Sequence, residues 1–164
     1  MMRTRRSPRG ERGLTLVELV CCSAIILVLA SVAIPVANTW VKRRKELELR
    51  QALREVRTAI DQFQWDASHN PQMTAKLNGQ NAMEDKYPEK LENLYKGFDI
   101  GDAVGTKLKY MRRLPRDPIT GSDEWATRSS HDKPGSFATD GFNLFDVHTK
   151  SDAVALDGTR YADW

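Results

Sequence analysis
The sequence predicts an α+β protein in which one long N-terminal helix packs on a small antiparallel β-sheet head. Three observations carry this: an uncharged apolar run near the N-terminus, a striped amphipathic stretch directly after it, and a C-terminal half rich in Gly, Pro, Asn and Asp with short alternating apolar runs.

The apolar run spans Leu19 to Val41, about 23 residues without a charge, and as a helix it would measure roughly 35 Å against a bilayer core of about 30 Å. A helix over residues 14–41 is therefore expected to cross a membrane once. A cleaved secretory signal has a shorter apolar region ending in a small-residue site, whereas this run flows into more helix. Five arginines (Arg3, Arg5, Arg6, Arg9, Arg12) precede the span and four basic residues (Lys42, Arg43, Arg44, Lys45) follow it, which favours a cytoplasmic N-terminus.

Over residues 42–70 the apolar positions Leu49, Leu53, Val56, Ile60 and Phe63 recur at steps of four and three, the stripe of a helix lying on a core. Its end is expected near residues 68–70, because Pro71 disfavours a helical residue before it and Asn70 is a good terminator. The head follows over residues 71–164. Residues 72–86 read as loop with at most a short helical turn, and Tyr87, Pro88, Leu91, Leu94 and Tyr95 as a proline-started turn of helix. Strands are expected over residues 110–114, 125–130 and 142–149, with a turn at Asp117-Pro118-Ile119-Thr120-Gly121 between the first two.

Charge is unevenly placed. Removing residues 1–13 takes five of the 25 basic and one of the 22 acidic side chains, leaving 20 and 21, so the rest of the chain is about neutral. From Glu46 onward 16 basic residues face 20 acidic ones. The two cysteines, Cys21 and Cys22, are neighbours inside the apolar run, where helical geometry points them about 100° apart and no ordinary disulfide closes. A head of this size without a crosslink gains from another brace, and a metal ion is a common one.

The segment Gly13-Leu14-Thr15-Leu16-Val17-Glu18, behind an arginine-rich leader and ahead of the apolar helix, resembles the processing signature of type IV pilin-like prepilins. In that family a membrane-embedded aspartic peptidase cuts after the glycine and the new N-terminus is methylated. The resemblance implies a leader peptide over residues 1–13, cleavage between Gly13 and Leu14, and methylation at Leu14, where the family more often has Phe. Glu18 makes physical sense in that scheme. A carboxylate in an apolar helix costs on the order of 2.5–3.5 kcal/mol on insertion scales unless it is paired, and cleavage creates a positive amine four residues away, on its own chain or a neighbour. Pro35, the twenty-second residue after the cut, removes a backbone hydrogen bond to Ser31 and loosens the helix at a place where pilin-like stems often carry proline.

Within the head, Tyr87-Pro88, the stretch Tyr110-Met111-Arg112-Arg113-Leu114-Pro115-Arg116-Asp117-Pro118 and the run Asn143-Leu144-Phe145-Asp146-Val147 are similar to the major pseudopilins of type II secretion systems. That family lacks a C-terminal disulfide loop and holds calcium after its last strand. The resemblance implies calcium ligands at Asp152, Asp157 and Asp163 with the Lys150 carbonyl, in a loop that also contains Asp146, Thr149, Ser151 and Gly158; a hard cation wants six to eight such oxygens. It further implies a non-enzymatic subunit that polymerises into a helical filament, the periplasmic pseudopilus. Its partners would be minor pseudopilins, an inner-membrane assembly platform with its ATPase, and the prepilin peptidase. The chain would be single-pass in the bacterial inner membrane, its head periplasmic.

Two other readings share some of these features. A type IV pilus subunit carries the same N-terminus. A DNA-uptake pilin would use the basic cluster Lys107, Lys109, Arg112, Arg113 and Arg116, but little aromatic interleaving accompanies it and the ectodomain is acidic, so nucleic acid is not the expected partner. For an enzyme the constellation is missing: His69, His131 and His148 are scattered, and neither a Gly-rich phosphate loop nor a nucleophile elbow occurs.

Overall fold
The computed structural model describes residues 13–77, 79–133, 136 and 139–164. All of the expected leader except Gly13 lies outside these residues. The protein is α+β, and the chain divides into two compact units, Met1–Val41 and Lys42–Trp164.

Helix α1 runs Leu16–His69, 54 residues, with Pro35 inside it. It begins where Thr15 offers its Oγ1 to the Glu18 amide at 3.2 Å, a side-chain cap on one of the open amides of the first turn. In the first unit the described side chains of α1 are exposed all round except for half-buried Ala30, and this stretch is long and apolar enough to cross a membrane. Three of its hydroxyls bond back onto the helix: Ser23 and Ser31 donate to the Leu19 and Val28 carbonyls, and Thr39 to that of Pro35.

In the second unit the helix is striped. Leu49, Leu53, Val56, Ile60 and Phe63 are buried, as the spacing predicts, with Ala52, Ala59 and Ala67 filling the narrower gaps. Phe63 sits at the centre, edge-on to Phe98 at 5.0 Å and tilted against Tyr110 at 5.4 Å. Leu94, Met111, Trp125, Leu144, Val147 and Tyr161 close the core from the other side.

The helix ends at His69, and Asn70 works both ways: its amide donates back to the Asp66 carbonyl at 2.9 Å. It is extended (φ −116°, ψ 102°), and its Oδ1 accepts from the Gln72 and Met73 amides, capping helix α2, Pro71–Thr74, with Pro71 at the first position. Helix α3, Gly79–Met83, and helix α4, Glu92–Tyr95, follow. Residues 72–86 thus hold most of one short helix and the whole of another where loop was expected, and the turn expected from Pro88 onward becomes helical only at Glu92.

The sheet differs more. Among the described residues there are two two-stranded antiparallel sheets: β1 (Phe98–Asp99) with β2 (Lys107–Leu108), and β3 (Ala126–Arg128) with β4 (Asp146–His148). Strands β3 and β4 fall inside the expected runs, in the register Thr127 opposite Val147. Residues 110–114 are not a strand. The amides of Tyr110 and Met111 both donate to the Leu94 carbonyl at the end of α4, and the Tyr110 hydroxyl reaches Asp66 on α1 at 2.9 Å. This run therefore spends its donors vertically on helices and not laterally on a sheet, and Pro115 has no donor to offer. The missed hairpin β1–β2 starts from Gly97, where a φ of +100° and the Lys107 side chain 3.1 Å from where a Cβ would stand make any other residue strained.

Candidate functional site
Three groups of expected functional residues are distributed over the molecule, the first at the start of the described chain. Gly13 and Leu14 precede α1 outside regular secondary structure; nothing among the described residues lies within 4 Å of a Cβ placed on Gly13, and Leu14 is 70% exposed. Among the described residues nothing packs against this bond. Glu18 is one turn into the helix and exposed, with its own amide held by Thr15. Gly13, Leu14 and Glu18 lie within one short stretch; Pro35 is five turns further along.

The second group is the acidic C-terminal loop. Here hairpin 154–160, closed by the bridge Val154–Arg160, lies on the turn of α1 at Glu46–Arg50. The Glu46 carboxylate accepts from the Leu156 amide at 2.8 Å and from the Tyr161 hydroxyl at 2.9 Å. Burial and that hydrogen bond push the Tyr161 phenol up to about 12. Asp157 accepts from the Thr159 hydroxyl and amide and pairs with Arg50 at 3.5 Å; Thr159 chiefly, then Arg50, holds its carboxyl below the usual range. Asp163 is bound fork-to-fork by Arg160, both contacts at 3.0 Å. Asp146 is taken by Arg57, which also reaches the Val147 and Trp164 backbone oxygens.

Of the implied calcium ligands, Asp152 and Lys150 line one shallow cavity with His148 and Thr149, while Asp157 and Asp163 face guanidinium groups. Lys150 extends its ammonium to Glu124 at 2.8 Å. The four residues do not form an oxygen cage in this arrangement. A calcium ion here would require Asp157 and Asp163 to exchange an arginine for the metal, so the donor set does not fit calcium as it stands.

The third group is basic. Arg112, Arg113 and Arg116 line an open cavity of about 960 Å³ together with Tyr95 and the acidic Glu55 and Asp123, so the cluster is diluted by carboxylates. Lys107 lies on β2, and Lys109 lines a separate cavity with the exposed Trp65, Tyr110 and the acidic Asp66.

Sequence reasoning passed over one arrangement altogether. Nε2 of His131 lies 3.4 Å from Glu84 and 3.6 Å from Asp85, and the three form the one group of metal-type side chains that converge among the described residues. Asp85 also accepts from the Ser130 hydroxyl and the Asn143 amide, so it ties the end of α3 to residues 130 and 143. The neighbouring Asp132 accepts from the Ser129 amide, which chiefly holds its carboxyl below the usual range. The convergence spans 47 positions, and no short-range spacing signals it. No protein-family model, no curated protein and no solved structure matches the chain.

Proposed function
We propose that this chain is a pilin-like filament subunit, made as a membrane-inserted precursor, cut after Gly13 and assembled through its helical stem, and that it serves as the major pseudopilin of a type II secretion system. One observation carries the reading: a helix of 54 residues is apolar on every side in its first half and striped in its second. A soluble core helix buries one face, and a secretory signal does not continue into the domain it exports. A span continuous with a head helix is what a subunit needs if it is first held in a bilayer and then stacked stem against stem.

The open Gly13–Leu14 bond and Glu18 one turn beyond it support processing and register. A new amine at Leu14 pairs with Glu18 of its own or a neighbouring stem, which offsets the cost of an apolar-embedded carboxylate. In this reading the leader stays in the cytoplasm and the head lies across the membrane, as the larger basic count before the span favours. No calcium enters this proposal, because the donor set does not converge.

The deciding experiment is N-terminal mass spectrometry on the protein from cells that make a prepilin peptidase. The expected mature chain begins at methylated Leu14, and Gly13→Leu retains residues 1–13 in the membrane fraction. Filaments that still carry the leader would overturn the reading.

A further inference from the structure
The loop that leans on Glu46 has its alternation reversed. Along residues 154–156, Ala155 is buried while Val154 and Leu156 are 50% and 45% exposed, so the apolar side chains point outward. Leu47, next to Glu46 on α1, is 62% exposed. Single exposed aliphatics are ordinary on a protein surface, but these three gather where the Leu156 amide meets the Glu46 carboxylate, and Gly158, at φ +88°, turns the hairpin back immediately beyond them.

Directly before Glu46 in the chain stand Lys42, Arg43, Arg44 and Lys45. Arg44 is paired with Glu48 at 3.0 Å, whereas Lys42, Arg43 and Lys45 have no acidic partner among the described residues. Two of the carboxylates nearby are ion-paired, Asp157 with Arg50 and Glu48 with Arg44, while Glu46 keeps its charge and accepts from the Leu156 amide and the Tyr161 hydroxyl. Among the described residues Glu46 and Asp152 stand here without an ion pair, against the three cations Lys42, Arg43 and Lys45, so the patch keeps a net positive charge. Exposed aliphatics beside unpaired basic residues are the composition of a surface that lies on a bilayer, aliphatics entering the headgroup boundary and cations meeting anionic lipid. The chain supplies the location, since the basic run follows Val41 without an intervening residue.

We infer that Val154, Leu156 and Leu47, with Lys42, Arg43 and Lys45, form a docking surface for an anionic bilayer, which holds the second unit against the lipid before the subunit leaves the membrane. The inference rests on the apolar half of α1 being in the bilayer, and it adds a second, separable contact. Each basic residue near such a surface is worth about 1 kcal/mol, or roughly fivefold, so the contact is strong enough to order a loop and weak enough to release.

The test is hydrogen exchange on the full chain, one copy per nanodisc, in discs of phosphatidylglycerol and of phosphatidylcholine. Amides of residues 153–158 are expected to exchange about tenfold slower in the anionic discs. Val154→Asp with Leu156→Asp abolishes the difference, as does the triple change Lys42→Gln, Arg43→Gln, Lys45→Gln, which leaves the loop itself intact. Equal exchange in the two lipids overturns the inference, and so does protection seen only in discs with two or more copies, which assigns the patch to a second chain. A chain that fails to enter either disc overturns the membrane reading itself, a different failure from insertion with an unprotected loop.

Discussion
The two halves of α1 are both apolar and both helical, yet they solve opposite problems. Between Leu16 and Val41 the described large aliphatics are exposed, typified by Leu27 at 70%; from Leu49 to Ala67 the aliphatic stripe and Phe63 are buried, and most charged positions face out. Hydrophobic content alone does not separate these halves. Angular distribution does, because a helix surrounded by lipid has no outside to keep polar, whereas a helix on a core has one.

That contrast breaks most directly at Phe63. Phe63→Ala removes a fully buried ring with two aromatic neighbours and is expected to cost the second unit about 3–5 kcal/mol. Leu27→Ala, in the exposed half, is expected to leave that unit's stability unchanged. Denaturant titration of the full chain in detergent, followed by near-ultraviolet circular dichroism, reads both. A comparable loss from Leu27→Ala would mean that the two halves do not answer to different surroundings.

What was legible in the sequence follows the same line. The stripe on α1 was readable because its period is local, and Asp117-Pro118 was readable as a turn: the buried Asp117 carboxylate accepts from the Ile119 and Thr120 amides. Long-range polar ties were not. Arg57 sits one residue after core Val56 and reads as an exposed face residue, yet it binds Asp146 at 2.7 Å and the Trp164 backbone oxygen at 2.6 Å. Glu46 likewise looks like part of a charged collar and instead holds Leu156 and Tyr161. Nothing in a one-dimensional pattern says which of many charged residues will meet a partner about a hundred positions away. Residues 110–114 misled for a related reason, since alternation shows that a run is half buried but not whether its amides face a strand or a helix end.

A smaller effect sharpens the contrast within the second unit. His148 on β4 is buried, and burial chiefly, with Arg128 adding, lowers its imidazole from the ordinary 6.5; Arg57 acts in the same direction, and Asp146 and Asp163 oppose it. With the folded value depressed, the unfolded chain binds the extra proton first. His148 therefore contributes stability that is complete above about pH 6.5 and lost as pH falls below it. The lowered carboxyls of Asp132 and Asp157 act in a separate window, below their ordinary 3.8. Stability measured from pH 7 to pH 5 should fall in the native chain, and His148→Gln should flatten the part of that slope due to the imidazole. Identical slopes would remove His148 from the account.

The smallest expected effect concerns calcium, and it sets the C-terminal loop against the family it resembles. An ion at a hundredfold over its dissociation constant stabilises a folded state by about 2.7 kcal/mol, a melting shift of several degrees for a domain of this size. Here that gain must first break the Arg160–Asp163 fork and draw Asp157 from Thr159 and Arg50, which leaves Asp152 as the one loop carboxylate free to bind. A single carboxylate with carbonyls falls short of the several that a six- to eight-oxygen shell uses. The full chain in detergent is therefore expected to melt at the same temperature in millimolar calcium and in excess chelator. Arg160→Gln, which frees Asp163, is the change that should begin to create calcium dependence. A rise of several degrees with calcium in the unaltered chain would show that the loop exchanges its arginines for the metal, and that the salt bridges seen here are what the ion displaces.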